Sequence, residues 1–283
     1  MSTEQSAGGA ILTLAVSQSD AELISDWIAE NLAKTVVELK KPGGTGAMLE
    51  VYLDNTLEAE VAIKALEDFP ILGTSIREYA AEEWTESWKK HFKPMEFGEH
   101  LRVCPPWLAG ESDRIELVIN PGLSFGTGNH FTTSFCLEQL DRLVPESEAK
   151  TMADIGTGSG ILAIAAVRLG VEHAVGADFD PLCVEQSVLN AEVNGVAEQT
   201  EFFQHDITEG WPDETYDIVC ANIYSSLLID NAATLLRITK KYLLLTGIRE
   251  IEVDGVADRF VQLGGREIVR DCGGEWAGLV IGC

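Results

Sequence analysis

No two of the six cysteines, Cys104, Cys136, Cys183, Cys220, Cys272 and Cys283, stand in a C-x-x-C spacing, so neither a metal site nor a redox pair is read from them. Several lie inside apolar runs such as Ile218-Val219-Cys220-Ala221 and read as reduced core residues of a cytosolic protein. Long apolar runs are missing too: none approaches the roughly 18 residues of a membrane span. No Lys or Arg precedes Lys34, so the N-terminus lacks the basic start of an export signal. A soluble, cytoplasmic chain with no membrane partner is expected. Positive charge is scarce throughout, with 20 Lys and Arg against 46 Asp and Glu for a net charge of -26. Such a surface repels phosphate backbones, which excludes direct nucleic-acid contact as an expectation and favours a basic protein partner. The same acids also serve solubility. What remains is ordinary globular composition, 46% hydrophobic and 23% charged over 283 residues, which rules out collagen-like, disordered and disulfide-scaffold classes.

Two periodicities follow one another along the chain. Ile11 to Val16 alternates as a strand, and Asp20 to Leu32 repeats as a helix capped by Ser19 or Asp20. Lys34 to Lys40 and Ala47 to Leu53 read as strands around the turn Pro42-Gly43-Gly44-Thr45-Gly46. Thr56 is expected to cap a second helix running to Phe69, before a last strand near Ile76. This order, βαββαβ, is that of a ferredoxin-like α+β domain, and with no cluster of chemistry-bearing side chains it suggests a recognition module. Glu82 to Phe92 reads as a short helix with Trp84 and Trp88 on one face. Strands are expected at Leu101 to Cys104 and Arg114 to Ile119, followed by a glycine- and threonine-dense loop from Pro121 to Thr133.

From Thr151 the rhythm becomes strand, helix, strand. Strands are read at Met152 to Ile155, Ala174 to Ala177, Thr200 to Gln204, Asp217 to Asn222 and Tyr242 to Gly247, with helices at Ile161 to Leu169, Pro181 to Asn194 and Ser225 to Thr239. Such alternation builds a parallel α/β sheet covered on both faces. A closing hairpin is read at Glu267 to Asp271 and Glu275 to Ile281.

Three features in this half carry chemistry. Asp154-Ile155-Gly156-Thr157-Gly158-Ser159-Gly160 follows an apolar strand and opens an apolar helix, where a glycine turn lets a ligand approach bare N–H groups. Its G-x-G-x-G spacing differs from the dinucleotide fingerprint G-x-G-x-x-G, in which pyrophosphate sits on the helix N-terminus, and so favours a nucleotide-like ligand without phosphate. Asp178 ends the next strand, 22 residues after Gly156, where such folds meet a ribose. A carboxylate there can accept from both sugar hydroxyls. A helix cap is the competing role, and Asp180 suits it better. Asp206 lies where the adenine of such a ligand would be held, and a plain turn is the alternative. Asn222, at the end of the fourth strand, can offer a carbonyl to an incoming amine or else cap the next helix.

Together these residues resemble a class I S-adenosylmethionine (AdoMet) methyltransferase. The loop Phe125-Gly126-Thr127-Gly128-Asn129-His130-Phe131-Thr132-Thr133, with Trp88 to Trp107, Asp154 to Leu169 and Asp178-Phe179-Asp180-Pro181, is similar to the ribosomal protein L-eleven methyltransferase (PrmA) family. The resemblance runs from about Trp84 to the C-terminus. It implies a Rossmann-like seven-stranded sheet over 101–283 behind a linker helix region at 81–100, with the ferredoxin-like module at 1–80 recognising a basic ribosomal protein, L-eleven. It implies AdoMet contacts at Thr133, Gly156, Asp178 and Asn222, to which the reading of the residues adds Gly158 and Asp206. Methyl transfer would be positioned by Asn222, Phe125 and Thr127, with no dedicated base; His130 is read as holding local backbone. The chain departs from the family at Asn222-Ile223-Tyr224-Ser225-Ser226-Leu227-Leu228, usually Asn-Ile-Leu-Ala-Gly-Pro-Leu, and at Phe131, usually Pro. Both departures lie near the expected substrate amine. The expected activity is AdoMet-dependent N-methylation of lysine side chains or the α-amino group of that protein by a monomer. The alternatives are methylation of another protein lysine or an amide, a non-catalytic AdoMet-binding module, and a nicotinamide dehydrogenase, which the glycine spacing disfavours.

Overall fold

The computed structural model describes residues 9–32, 34, 36–40, 46–53, 55–67, 69–79, 93–110, 112–120 and 130–283. The chain forms two compact units, residues 1–93 and 94–283. Positions 42–45 of the turn expected at 42–46, the Trp-bearing helix at 82–92 and the loop positions Phe125 and Thr127 lie outside the described residues.

The first unit runs β1 (Gly9–Ser17), α1 (Ala21–Leu32), β2 (Val36–Lys40), β3 (Gly46–Leu53), α2 (Thr56–Ala65), β4 (Gly73–Tyr79). Its sheet is antiparallel in the order β2-β3-β1-β4, the ferredoxin-like arrangement. Alternate residues of β1 face alternate residues of β3, with Leu12 opposite Val51 and Leu14 opposite Leu49. These side chains are fully buried with Ile24 and Ile28, one turn apart on α1, and with Ala59 and Ala62 of α2. A period of two on the strands and three to four on the helices thus builds one core. The α2 start corrects the expectation by one residue. Asn55, in extended backbone, accepts from Glu58 N at 2.9 Å, because its short side-chain carbonyl reaches the third amide of the helix; Thr56 is already helical.

The second unit begins earlier than the expected linker would allow, since β5 (Met95–Phe97) pairs with β6 (Leu101–Cys104), which runs parallel to β7 (Ile115–Val118). Next comes α3 (Phe131–Ser147), which is not among the expected elements. Its first turn takes up Phe131, Thr132 and Thr133, read above as loop. The apolar stripe of Phe135, Leu140 and Val144 is interrupted by the buried Asp141, which blunts its helical signature. Asp141 accepts from the backbone of Glu99 at 2.7 Å and of His100 at 3.0 Å, and so pins the β5–β6 turn to α3.

The main sheet follows: β8 (Thr151–Ile155), α4 (Ile161–Leu169), β9 (His173–Asp178), α5 (Pro181–Val193), β10 (Thr200–Gln204), β11 (Tyr216–Asn222), α6 (Ser225–Asp230), α7 (Ala232–Ile238), β12 (Thr239–Arg249), α8 (Val253–Gln262), β13 (Arg266–Gly273) and β14 (Trp276–Gly282). The order is β10-β9-β8-β11-β12-β14-β13, with β14 antiparallel to both neighbours and β10 to β12 parallel. The single helix expected from Ser225 to Thr239 is two, broken at Asn231, which ends α6 and starts α7. Helix α8 was also not expected, because Gly255 interrupts a stripe of Val253, Val256, Ala257 and Phe260. Helices α3 and α4 cover one face of the sheet, over Met152, Ile218 and Leu244. Helices α6, α7 and α8 cover the other, over Ala153, Val219 and Leu245.

Candidate active site

The chain moves outward from β8 to β9 and β10, then returns beside β8 with β11. Strand order therefore reverses between β8 and β11, and open sheets of this kind bind ligands in the crevice beyond the carboxyl ends of the strands at that point. Gly156 follows β8 there and Asn222 ends β11.

The turn after β8 is folded back on the next strand. Gly156 N and Thr157 N both donate to Ala177 O, at 2.9 and 3.0 Å. Gly156 has φ 74° and Gly160 φ 79°, the left-handed region that favours glycine. Space demands glycine as well: a Cβ at Gly156 would fall 2.5 Å from Ile223 Cγ2, and one at Gly160 2.9 Å from Ser187 Cβ. Helix α5 holds the turn from its far side, with Ser187 Oγ donating to Gly158 O at 2.9 Å and Asn190 Nδ2 to Ser159 O at 2.8 Å.

Asp178 is buried at the end of β9. Its Oδ2 accepts from Gly158 N at 2.9 Å and its Oδ1 from Asp180 N at 3.0 Å. An ionised carboxylate has about four acceptor positions, so each oxygen retains one. The helix cap falls to Asp180, which accepts from Leu182 N at 2.9 Å. Asp206 caps a short turn, accepting from Thr208 N at 2.8 Å, and that backbone donor lowers its pKa. The neighbouring His205 ring stands edge-on to Trp211 with Nε2 2.7 Å from Gly210 O, turned into its own loop.

Asp154 opens the glycine motif. It is fully buried on β8, and Thr157 Oγ1 donates to its Oδ2 at 2.7 Å. Burial pushes its carboxyl up to about 7, the nearby charge of Asp178 adding to the rise.

On the other side of the crevice, Asn222 Nδ2 donates to Thr132 Oγ1 at 3.4 Å. That hydroxyl lies 2.8 Å from His130 Nδ1, which also receives Thr132 N at 3.4 Å. With Nδ1 accepting, the network assigns the ring proton to Nε2, and His130 caps α3. Its ring stands edge-on to Trp276, centroids 4.9 Å apart. Thr132 lies in the loop that carries the family resemblance, although the motif gives it no role of its own, and Trp276 carries no signal in the sequence that would have selected it. Thr133 Oγ1 is buried with no hydrogen-bond partner among the described residues. An unmet buried hydroxyl costs about 1–3 kcal/mol, and a ligand can satisfy it.

Of the two departures, Phe131 packs sideways: its ring lies against Phe135, centroids 6.1 Å apart, and over Gly273, where a Cβ would overlap it. Tyr224 is exposed at the start of α6.

A glycine turn at a switch point, an acid ending the adjacent strand, and a seven-stranded sheet with one reversed strand define a class I AdoMet-dependent methyltransferase. The groups present suit that cofactor: a turn open to close approach, a carboxylate with spare acceptor positions, and a buried hydroxyl with no partner among the described residues. Within the class, residues 8–281 match the family model described as ribosomal protein L11 methyltransferase (PrmA), and the chain belongs to that family. A ribosomal protein L11 methyltransferase of Pectobacterium atrosepticum is 37% identical over 226 residues, covering 77% of this chain and 74% of its own. One from Alteromonas mediterranea is 33% identical over 290 residues, covering 94% of this chain and 96% of its own. The crystal structure of the ribosomal protein L11 methylase from Lactobacillus delbrueckii subsp. bulgaricus matches with a TM-score of 0.61 and 26% identity, covering 67% of this chain and 98% of that one.

Proposed function

We propose that this enzyme methylates amino groups of ribosomal protein L11, the protein that the names of its relatives give as their substrate. The observation that carries the reading is the convergence of the Gly156 turn, Asp178 and the Asn222–Thr132 pair at one switch point. AdoMet, when bound, supplies an electrophilic methyl group on a sulfonium and leaves as a neutral thioether.

The chain's own work is to bind and align. Gly156 and Gly158 let the ligand approach the main chain, Asp178 accepts from the ribose hydroxyls with its spare lone pairs, and Asp206 accepts from the exocyclic amine of the adenine. Thr133, with no partner among the described residues, finds one in the ligand. Asn222 spends its N–H on Thr132, which leaves Oδ1 to accept from the substrate amine and turn the nitrogen lone pair toward the methyl group. Phe125 and Thr127, which lie outside the described residues, are part of the proposed methyl-transfer machinery. Alignment of this kind can supply several kcal/mol of a displacement barrier.

A free lysine has a pKa of about 10.4, so exposing its lone pair at pH 7 costs about 4.6 kcal/mol. A closed apolar site beside a cation lowers that cost by desolvation and like-charge repulsion, and water carries the proton away. No base is needed. The ferredoxin-like unit recognises the protein substrate, the enzyme acts as a monomer in the cytoplasm, and it touches no nucleic acid. Incubation with labelled AdoMet and total ribosomal proteins tests the assignment: label is expected on L11, and its absence there refutes that substrate.

A further inference from the structure

One helix face of the second unit is apolar and exposed. On α5, Leu182, Leu189 and Val193 are exposed, Leu182 by 64% and Val193 by 60%, with Val188 beside them. Their spacing of seven and four places them on one side of the helix, over about 16 Å at 1.5 Å per residue. Glu185 and Glu192 are exposed on the same side. The inner side of the helix is already used, since Ser187 and Asn190 hold the glycine turn.

The charge of this stretch of the chain specifies the sign of a partner. Between Arg168 and Arg237 the chain carries 13 Asp and Glu and no Lys or Arg. A second copy would set Glu185 and Glu192 against the same acids, and a nucleic acid would bring phosphates to them; both are repelled. A protein that presents apolar side chains between lysines or arginines meets both features of the face. The face also starts beside the crevice: Phe179, 74% exposed, directly follows Asp178 and precedes α5. We infer that the outer face of α5 is a docking surface for a basic protein, and that this protein is the methyl acceptor held with its amine at the crevice. The inference rests on the substrate reading above and adds a contact within the catalytic unit.

The test compares the full-length enzyme with L189Q/V193Q and E185Q/E192Q, assayed on purified L11. For L189Q/V193Q the KM for L11 is expected to rise about tenfold, equivalent to about 1.4 kcal/mol, with kcat, AdoMet affinity and melting temperature unchanged. For E185Q/E192Q, raising salt from about 50 to about 300 mM should weaken L11 binding less than it does in the wild type, because fewer charges remain to be screened. An unchanged KM in L189Q/V193Q, with the wild type active on L11, overturns the docking surface alone. So does a dimer in sedimentation that this variant dissolves without changing KM, which would assign the face to a second copy. A wild-type enzyme inactive on L11 overturns the substrate reading and this inference with it, so the wild-type rate tells the two failures apart.

Discussion

Asn222 and Thr132, 90 positions apart in sequence, share a hydrogen bond of 3.4 Å that fixes which end of the Asn222 amide faces the crevice. The pair joins the end of β11 to the first turn of α3. Thr132→Val keeps the volume and removes the hydroxyl. Asn222 is then free to rotate, and kcat should fall roughly tenfold, since small misplacements near a reacting atom are costly. AdoMet affinity should stay within about twofold. Single-turnover kinetics beside a binding titration decide this, and an unchanged kcat sinks the positioning role of Thr132.

Asp178 holds both the glycine turn and, in the proposed site, the sugar. Asp178→Ala leaves Gly158 N and Asp180 N without their acceptors and removes the spare lone pairs. With charged hydrogen bonds contributing about 1.5–3 kcal/mol each, AdoMet affinity should drop at least about a hundredfold by calorimetry. Equal affinity in the variant would remove the basis for the pocket.

Thr133→Val should act with opposite signs on the two states. In the free enzyme it deletes a buried hydroxyl with no partner among the described residues, so the melting temperature should rise or hold. In the presence of AdoMet the stabilisation by ligand should shrink, because a hydrogen bond to the cofactor is gone. Melting curves with and without AdoMet measure both, and an unaltered ligand-induced shift would place Thr133 outside the site.

Asp154 sets a pH dependence of stability. Burial lifts its carboxyl from 3.8 to about 7, so between those values the folded chain holds a proton that the unfolded chain has released. The stabilising contribution is complete below about 3.8 and is lost as pH rises through about 7. The melting temperature should therefore fall from about pH 6 to about pH 8, more steeply than in Asp154→Asn, which cannot ionise. Parallel curves for the two proteins would exclude Asp154 as the group responsible.

Gly156→Ala should cost about 1–3 kcal/mol in urea unfolding, from the left-handed backbone and the overlap with Ile223. Ile223→Ala removes the overlapping Cγ2, so the double variant should lose less than the two single changes added together. Full additivity would mean that the overlap is relieved elsewhere.

Much of this site was legible in one dimension because its parts are local. The glycine turn sits between an apolar strand and an apolar helix, and Asp178 and Asn222 end strands whose periodicity is plain. Helix α3 was hidden because its start is continuous with a glycine- and threonine-dense loop and because Asp141, paired with the backbone of Glu99 and His100, interrupts its apolar stripe. Helix α8 was hidden by Gly255. Nothing near Trp276 in the sequence marks it as the neighbour of His130.

The sequence by itself determined the two-part plan, the alternation that makes each sheet, and the residue types of the turn, since these follow from periodicity and from backbone angles that only certain side chains accept. Tertiary structure alone decided that β11 returns beside β8, that Asn222 meets Thr132 across the crevice, and that Asp154 loses its water. Such pairings depend on which distant surfaces bury one another, and the energy of an ionised or hydrogen-bonded group depends on that burial more than on its neighbours along the chain.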